Sequence, residues 1–552
     1  MMLLRRFARR HVSTNAAQRI YKSPFPPIEI PPQTTWDLAH QVAQTKRNDT
    51  ALICGVTHAT MTFGEFDQAV LKTATAFAER GVTKGTVVLT NMINCMEYPI
   101  LYHALTSLGA ILSPASPTFS SRELIQQLVA SKASFIVTHS TAEDAAIEAA
   151  DAVSIPPEHR FVVDKSTKSL APFSVLQQVS SIKVPDTELN HAGDVNYLPF
   201  SSGTTGPPKG VKLSFSNLAV NVLQWHNIDP FTAPALALLP YNHIYGTTLM
   251  NVLLYCGQPQ VILPRFEPES FLYALQTYKV MIFEKSSASQ SKQIEKFNIA
   301  PPVAAFLAKH PLVDEYDLSA TKVLVSGAAP MGEALEQAVY DRLGIKIKQA
   351  YGMTELSPVS NYSHSASTKS SSTGQLFPNT ELRIVCPSTG KDLPPYETGE
   401  LWYRGPQVML GYLNNPDATN ATMTSCGFLK TGDLGYIDDD GHVFVVDRLK
   451  ELIKYKGHQV APAELEDLIL KHPKVFDVAC IRGYDEQGEE LPKACVVVRP
   501  GEKLTADELM AFVEENVSPF KKVRQVVFLD AIPKSASGKI LRRELQAKFG
   551  KK

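Results

Sequence analysis

The sequence lacks any uninterrupted apolar run of about 18 residues, so we expect no membrane-spanning helix. It contains no Cys-x-x-Cys pair, and its seven cysteines are scattered and odd in number. This pattern argues against a zinc site or a disulfide framework and indicates buried free thiols in a reducing compartment. The chain also lacks net charge, because 54 basic and 55 acidic residues leave −1 at pH 7. That balance excludes a nucleic-acid-binding protein that depends on overall positive charge.

What is present is an ordinary globular composition. The 552 residues are 44% apolar and 20% charged, which argues against a disordered, collagen-like or coiled-coil chain. The length predicts three to four folding units, or fewer large ones. No obligatory protein partner is indicated.

Basic residues concentrate at the two ends. Residues 1–28 carry a charge of +6 without a single acid, residues 521–552 carry +8, and the middle therefore carries −15. The arginine-rich, acid-free beginning predicts a mitochondrial transit peptide over residues 1–28. A basic tail without a targeting role, in a cytoplasmic protein, is the alternative. The ending FGKK is not a peroxisomal signal.

Short β-branched runs, such as FIVTH at 135–139, alternate with helical patterns after about residue 50. This alternation predicts an α/β fold with largely parallel sheets. Strand and turn patterns over 390–446 predict a β-rich subdomain, and the last hundred residues predict a small α+β unit. We expect three parts after the leader: a large region over 29–446, a hinge over 447–450 and a mobile C-terminal domain over 451–552.

A loop rich in glycine and hydroxyl side chains, SSGTTGPPKG at 201–210, follows a strand-like segment. Its glycines allow successive N–H groups to face an anion, and its hydroxyls and Lys209 add donors, so it predicts polyphosphate binding. A flexible surface linker is the alternative. The loop is not a Walker A motif, because Pro208 precedes the lysine and Gly210 follows it.

Together with GAAP (327–330), QAYGMTE (349–355), TGD (431–433) and PKSASGK (533–539), this loop resembles the motifs of the adenylate-forming superfamily. That superfamily includes acyl-CoA synthetases, 4-coumarate–CoA ligases, beetle luciferases and adenylation domains of peptide synthetases. The resemblance covers nearly the whole chain after residue 30 and is strongest to the 4-coumarate–CoA ligase-like branch.

The resemblance implies ATP, Mg²⁺ and coenzyme A as the small molecules used. It implies that Glu355 and Thr205 hold the metal, that Tyr351 stacks on adenine, and that Asp433 accepts hydrogen bonds from the ribose. Carboxylate and phosphate oxygens suit Mg²⁺. The implied ATP and AMP contacts are Ser201, Ser202, Gly203, Thr204, Thr205, Gly206, Lys209, Gly327, Ala328, Ala329, Pro330, Gln349, Tyr351, Gly352, Met353, Thr354, Asp433, Arg448, Lys454 and Gln459.

The implied catalytic residues are Lys539, His243, Thr354 and Glu355. Lys539 resembles the family's mobile lysine, whose ammonium stabilises charge on the α-phosphate, and His243 matches the gate of the carboxylate pocket. Lys450 falls at the hinge, and Lys456, Gly457 and His458 fall on the coenzyme A side, where His458 departs from the usual aromatic residue. The implied acyl pocket contains Tyr245, Leu249, Ala304, Gly327, Pro358 and Val359.

The resemblance implies a ligase that forms acyl-AMP and then acyl-CoA from an aryl-propenoate or a medium- to long-chain fatty acid, in phenylpropanoid or fatty acid metabolism. The absence of an acidic residue near His243 disfavours amino-acid substrates. A luciferase-like oxygenase, a carrier-protein acyl-adenylating enzyme and a non-catalytic binding module are the alternatives. Residues 281–297 lack a clear period and are interpreted as an insertion or a gene-model artefact.

Overall fold

A computed structural model describes residues 13–15, 18–165, 168, 170–201, 208–278, 296–329, 331–364, 369–456, 458–535 and 538–550. Its helices are α1 (Thr35–Thr45), α2 (Phe63–Glu79), α3 (Glu97–Ser107), α4 (Ser121–Ser131), α5 (Glu143–Ala152), α6 (Phe215–Ile228), α7 (Ile244–Cys256), α8 (Pro268–Thr277), α9 (Pro301–Lys309), α10 (Glu333–Leu343), α11 (Pro416–Thr422), α12 (Pro462–Leu470), α13 (Ala506–Asn516) and α14 (Arg542–Phe549). Within this described part, no helix combines the length and apolarity needed to cross a membrane.

The strands are β1 (Ser13–Asn15), β2 (Gln18–Lys22), β3 (Thr50–Cys54), β4 (Thr60–Thr62), β5 (Val87–Asn91), β6 (Ile111–Pro114), β7 (Phe135–His139), β8 (Arg160–Val163), β9 (Ala171–Pro172), β10 (Val195–Tyr197), β11 (Phe200–Ser201), β12 (Lys209–Ser214), β13 (Ala235–Ala237), β14 (Gln260–Ile262), β15 (Lys296–Ile299), β16 (Val323–Ser326), β17 (Lys346–Gly352), β18 (Val359–Tyr362), β19 (Gln375–Leu376), β20 (Glu381–Val385), β21 (Gly399–Arg404), β22 (Gly411–Tyr412), β23 (Leu429–Ile437), β24 (Val443–Arg448), β25 (Ile453–Tyr455), β26 (His458–Val460), β27 (Val475–Tyr484), β28 (Glu490–Val498) and β29 (Gln525–Phe528).

The large region contains two parallel-sheet layers. The first sheet has the order β11-β12-β10-β6-β5-β7-β8-β9, and β22 also pairs with β12. Its central strands β5 and β7 are buried along their whole length, which explains why they are continuous apolar runs. In the second sheet, β15, β16 and β17 are parallel and continue into antiparallel β18 and β19. A smaller sheet, β13-β14-β3-β4, is mostly parallel. The predicted α/β class is confirmed.

The β-rich subdomain extends beyond the segment predicted for it. The antiparallel order β20-β21-β23-β24 continues through β2, where Tyr21 pairs with Leu382. Side-chain contacts extend this anchorage: the Tyr21 hydroxyl donates to the carbonyl of Leu393, and the Asn379 carboxamide accepts from the backbone of Ile28. Residues 18–28 are therefore part of the folded region. Strand β1 pairs with β2 on its other side, and the transit-peptide boundary at residue 28 stays a prediction.

The C-terminal unit has its own core. Strands β27 and β28 are antiparallel, β29 is parallel to β28, and α12 and α13 contribute to a buried cluster that includes Leu465, Val478 and Leu509. The segment predicted as a hinge begins inside secondary structure, because β24 ends at Arg448. The cysteines are free but unequally covered: Cys480 and Cys495 are buried, and Cys426 is exposed.

A buried charge cluster closes the second sheet beside the suspected insertion. Residues 279–295 lie outside the described residues, but Lys296 begins β15 and its ammonium lies 3.0 Å from Asp229. Lys348 of β17 lies 3.1 Å from the same carboxylate, and the hydroxyl of Tyr362 donates to it. Burial alone would raise the pKa of Asp229, but Lys296, Tyr362 and Lys348 together lower it.

Replacing Asp229 should destabilise the protein strongly. Asp229→Ala removes the carboxylate that two largely buried ammonium groups share, and we expect a loss of about 3–5 kcal/mol in the free energy of unfolding. Asp194→Ala is the matched control, because it removes an acid paired with the more exposed Lys84 and should cost about 0–1 kcal/mol. Urea unfolding measures both, and equal losses would contradict the prediction.

Candidate active site

Lys539 reaches the large region from a loop of the C-terminal unit. The loop packs against the segment between β15 and α9, where a Cβ on Gly538 would lie 2.9 Å from the Cβ of Ala300. Gly538 also has φ +80°, so both conformation and space require glycine. The backbone N–H of Lys539 donates to Ser535 Oγ at 3.1 Å, which fixes the loop.

The ammonium of Lys539 lies among charged groups from both units. Burial lowers its pKa to about 8, Arg448 adds repulsion, and Glu451 and Asp433 oppose these effects. Its charge in turn lowers the pKa of His243, which burial already depresses, to about 4. The Lys539 ammonium thus interacts electrostatically with His243, Asp433 and Arg448.

Tyr351, Asp433 and Arg448 form one hydrogen-bonded group. The Tyr351 hydroxyl donates to Asp433 Oδ2 at 2.6 Å, and Arg448 Nε lies 3.1 Å from Oδ1. Strand pairing causes this arrangement, because Asp433 of β23 stands opposite Arg448 of β24. Tyr351 also stacks on Tyr403, with ring centroids 5.8 Å apart. The Asp433 carboxylate is therefore fixed in position before any ligand arrives.

Glu355 meets the requirements of a magnesium ligand. It lies in the short 3₁₀ helix Thr354–Leu356 and is buried, and its Oε1 accepts a hydrogen bond from the Tyr412 hydroxyl at 2.9 Å. Burial raises its pKa, so a nearby cation would stabilise the charged form. The described residues contain no cluster of three or more metal-binding side chains. A metal held here would therefore take most of its ligands from phosphates and water, as Mg²⁺ commonly does.

The end of the phosphate loop is connected to Glu355. Strand β12 begins at Lys209 and pairs with β22, where Val211 stands opposite Tyr412. The Lys209 ammonium lies 5.0 Å from the centroid of the Tyr412 ring. Ser201 ends β11 before the loop. The remaining predicted loop residues, Ser202, Gly203, Thr204, Thr205 and Gly206, lie outside the described residues.

His243 caps the N-terminus of α7. Its Nδ1 accepts the backbone N–H of Tyr245 at 3.2 Å, which assigns the proton of the neutral ring to Nε2. Because the pKa is near 4, the ring is uncharged at neutral pH. His243 can therefore donate one hydrogen bond to an acyl group but cannot supply positive charge.

Three of the predicted acyl-pocket residues pack together. Tyr245, Leu249 and Val359 belong to one buried cluster, and a Cβ on Gly327 would lie 2.8 Å from the ring of Tyr245. Pro358 follows Ser357 through a cis peptide bond. The structure places Ala304 in a different cluster, formed by α9 with β15 and β16. Ala304 is therefore not part of the buried cluster that contains Tyr245.

The adenine-side residues occupy the ends of β16 and β17. Gly327 and Ala329 flank Ala328, whose φ of +73° is unusual for a residue with a side chain. Gly352 has no room for a side chain, because a Cβ would lie 2.1 Å from the Pro358 carbonyl oxygen. The Met353 N–H donates to that same oxygen at 3.0 Å. Pro330 lies outside the described residues.

Two groups of predicted site residues make other contacts or are exposed to solvent. The Gln349 carboxamide donates to the carbonyl of Met331 and to Glu336, so it serves the packing of α10 on β17. The β25–β26 hairpin carries an exposed set of predicted contacts, namely Lys454, Lys456, His458 and Gln459. His458 stacks on Phe520, with centroids 4.3 Å apart. Lys450 is exposed and its carbonyl accepts from Arg482, and Gly457 lies outside the described residues.

Sequence reasoning missed several side chains that hold the site. Asn298 donates to the Tyr245 hydroxyl at 2.8 Å, and Tyr412 holds Glu355. Arg542 binds Glu451 at 2.9 Å and also pairs with Glu466. No local motif marks these residues, because each acts on a partner at least 53 residues away.

Comparisons with known proteins identify the family to which the sequence belongs. The chain matches the AMP-binding enzyme family over residues 38–413 and the AMP-binding enzyme C-terminal domain over residues 464–539. It is 39% identical over 522 residues to 4-coumarate–CoA ligase 2 of Nicotiana tabacum, covering 90% of this chain and 91% of the relative. It is 37% identical over 551 residues to 4-coumarate–CoA ligase 1 of Petroselinum crispum, covering 96% and 97%.

The fold agrees with solved structures as well. The anthranilate CoA ligase AuaEII in complex with anthranoyl-AMP superposes with a TM-score of 0.84 at 23% identity, over 94% of this chain and 98% of that chain. The matches to the two AMP-binding families, one in the large region and one in the C-terminal unit, define the class of the protein. The chain belongs to the AMP-binding enzyme family, and the predicted resemblance to adenylate-forming enzymes is confirmed.

The lowered pKa of Lys539 predicts a pH limit on adenylation. The ammonium is protonated below about pH 8 and neutral above it, so kcat/KM for ATP should fall about tenfold per pH unit above that value. Pyrophosphate release between pH 7 and 10 with excess Mg²⁺ measures this. Lys539→Arg is the control, because a guanidinium does not titrate in this range. A wild-type profile without this limb, or the same limb in Lys539→Arg, would contradict the assignment.

Proposed function

We propose that this enzyme is an ATP-dependent carboxylic acid–CoA ligase that prefers aryl-propenoates resembling 4-coumarate. The observation that carries the proposal is the electrostatic interaction of the Lys539 ammonium with His243, Asp433 and Arg448, where Arg448 and Asp433 are 3.1 Å apart. This arrangement suits an attack on the α-phosphate of ATP, where negative charge accumulates in the transition state.

In the first step, a carboxylate oxygen attacks the α-phosphorus of ATP, the bond to the β-phosphate oxygen breaks, and pyrophosphate leaves. Asp433 and Tyr351 fix the nucleoside, the neutral His243 orients the carboxylate, and Lys539 stabilises the developing charge. Mg²⁺, which Glu355 would hold, neutralises phosphate charge when bound. Positioning and electrostatics thus supply the catalysis, and no side chain becomes acylated.

In the second step, the coenzyme A sulfur attacks the acyl carbon, the carbon–oxygen bond to AMP breaks, and AMP leaves with the bonding electrons. The thiol proton passes to solvent. We propose that the C-terminal unit first rotates about Lys450, removes Lys539 and presents the β25–β26 hairpin to the site. The side chains of Lys454, Lys456 and Gln459 are exposed to solvent in the present orientation. This exposure supports the proposed rotation. Domain motions of this type often limit turnover.

The acyl pocket supports a flat substrate. Tyr245 packs against Gly327, and its hydroxyl is bound by Asn298, so the ring cannot turn away without losing a buried hydrogen bond. A fixed aromatic ring beside the substrate favours a planar aryl group over a flexible alkyl chain. The names of the relatives point to the same class of acid. Fatty acids of medium or long chain length are the competing substrates.

The substrate proposal predicts a defined activity pattern. With ATP and Mg²⁺, 4-coumarate and related aryl-propenoates should release pyrophosphate faster than octanoate or palmitate, and coenzyme A should convert the product to a thioester. Lys539→Ala should lower pyrophosphate release by about 10²–10³, while thioester formation from supplied 4-coumaroyl-AMP remains near the wild-type rate. Equal loss in both half-reactions would contradict the role of Lys539. No release with any acid by folded protein would refute the ligase proposal.

We also propose import into mitochondria, directed by the basic segment upstream of Gln18. Four arginines between Arg5 and Arg10, with no acidic residue before Glu29, support the proposal. Residues 1–17 fused to a fluorescent protein should localise to mitochondria, and replacing the four arginines by glutamine should abolish this. Diffuse cytoplasmic fluorescence of the unaltered fusion would contradict the proposal.

A further inference from the structure

Helix α12 begins without a cap of its own. Its N-cap residue is Ala461, which has no side-chain acceptor, and Pro462 follows. The backbone N–H of Ala463 instead donates to Asp447 Oδ2 at 2.9 Å. Asp447 lies in β24 of the large region, before the hinge residue Lys450, whereas Ala463 lies after it. The first turn of a C-terminal helix is therefore capped by a carboxylate from the other side of the hinge.

The cap is enclosed rather than solvent-exposed. Asp447 is only 5% exposed, and the apolar cluster of Leu434, Leu452 and Ala461 joins the two sides of the hinge around it. Its Oδ1 accepts the backbone N–H of Arg448 at 2.6 Å. Both carboxylate oxygens are thus used by backbone donors, one on each side of Lys450.

The charges that face Asp447 keep its carboxylate ionised at neutral pH. Burial raises its pKa to about 6, the backbone N–H groups of Ala463 and Arg448 and the Arg542 guanidinium oppose that rise, and Glu451 adds to it. Glu466 of α12 also faces the group. An anion at a helix N-terminus interacts favourably with the unpaired N–H groups there.

A second contact holds the same helix in the same place. Gly332, which precedes α10 in the large region, lies against α12: a Cβ built on it would meet the side chain of Asp467, with Oδ1 at 1.4 Å. The backbone of Gly332 has an ordinary φ of −77°, so a larger residue there would have to displace the Asp467 carboxylate but would not strain the backbone. Helix α12 therefore packs closely on the large region at this position.

We propose that Asp447 is a positioning residue that holds the C-terminal unit in the orientation that delivers Lys539, and so favours adenylation over thioester formation. The inference rests on the proposed ligase function and on rotation about Lys450. That rotation separates Asp447 from Ala463, so the bond exists in one orientation only. The Arg542 contacts with Glu451 and Glu466 lie wholly on the far side of the hinge and move with the unit.

The test compares the two half-reactions in full-length variants. Asp447→Ala should slow pyrophosphate release from ATP and 4-coumarate roughly tenfold. The reason is that loss of the N-cap lowers the population of the orientation in which the C-terminal unit delivers Lys539. Thioester formation from supplied 4-coumaroyl-AMP and coenzyme A should be unchanged or faster. Asp447→Asn, which keeps an acceptor oxygen, should recover part of the first step. Equal loss in both steps, or no loss, would overturn the proposal.

A second variant keeps the test valid if Asp447→Ala fails to fold. Gly332→Phe leaves Asp447 intact but inserts a ring between α10 and α12, and it should produce the same selective loss of adenylation. Glu508→Ala is the control, because Glu508 pairs with Lys474 on the exposed side of the same unit, and neither step should change. A Gly332→Phe protein with equal losses would overturn the proposal. Absence of pyrophosphate release by the wild type would instead refute the underlying ligase function.

Discussion

The structure depends on bringing a cation into a site that already holds another cation. Lys539 enters a half-buried space beside Arg448, and both burial and repulsion oppose its charge. The arrangement is tolerable because Asp433 and Glu451 offset that repulsion, and because packing at Gly538 fixes the loop. The same unfavourable placement makes the ammonium effective, since a poorly solvated charge interacts strongly with a phosphate that becomes more negative.

Strand pairing within the large region positions several residues of the candidate site. Strand pairing fixes Asp433 opposite Arg448, and β12 pairing with β22 connects Lys209 through Tyr412 to Glu355. These links run through the hydrogen-bond ladders between paired strands of the large region. The contacts described between the two units are of a different kind: a carboxylate at the start of a helix, a small apolar cluster, and the close approaches at Gly332 and Gly538. Such a boundary can separate without disturbing either core.

The sequence predicted the fold class and most strands, because their signals are local. Apolar runs such as Val87–Asn91 and Phe135–His139 mark buried parallel strands wherever they occur. The clustering of Lys539, Asp433 and Arg448 followed from family motifs. The side chains that hold other parts of the site were not predictable. Asn298 binds Tyr245, Tyr412 binds Glu355, and Asp447 caps α12, and each of these roles comes from a contact outside the residue's own segment. The pairing of β2 with β20 was likewise not predictable, because basic composition carries no information about strand pairing.

That pairing has a consequence for the life of the protein in a cell. Strand β2 covers one side of β20, and Tyr21 and Lys22 stand opposite Leu382 and Glu381. Loss of Tyr21 and Lys22 would leave the backbone donors and acceptors on this edge of β20 unpaired. Exposed sheet edges of this kind recruit strands from other molecules. Strand β2 therefore protects the folded polypeptide against self-association through this edge.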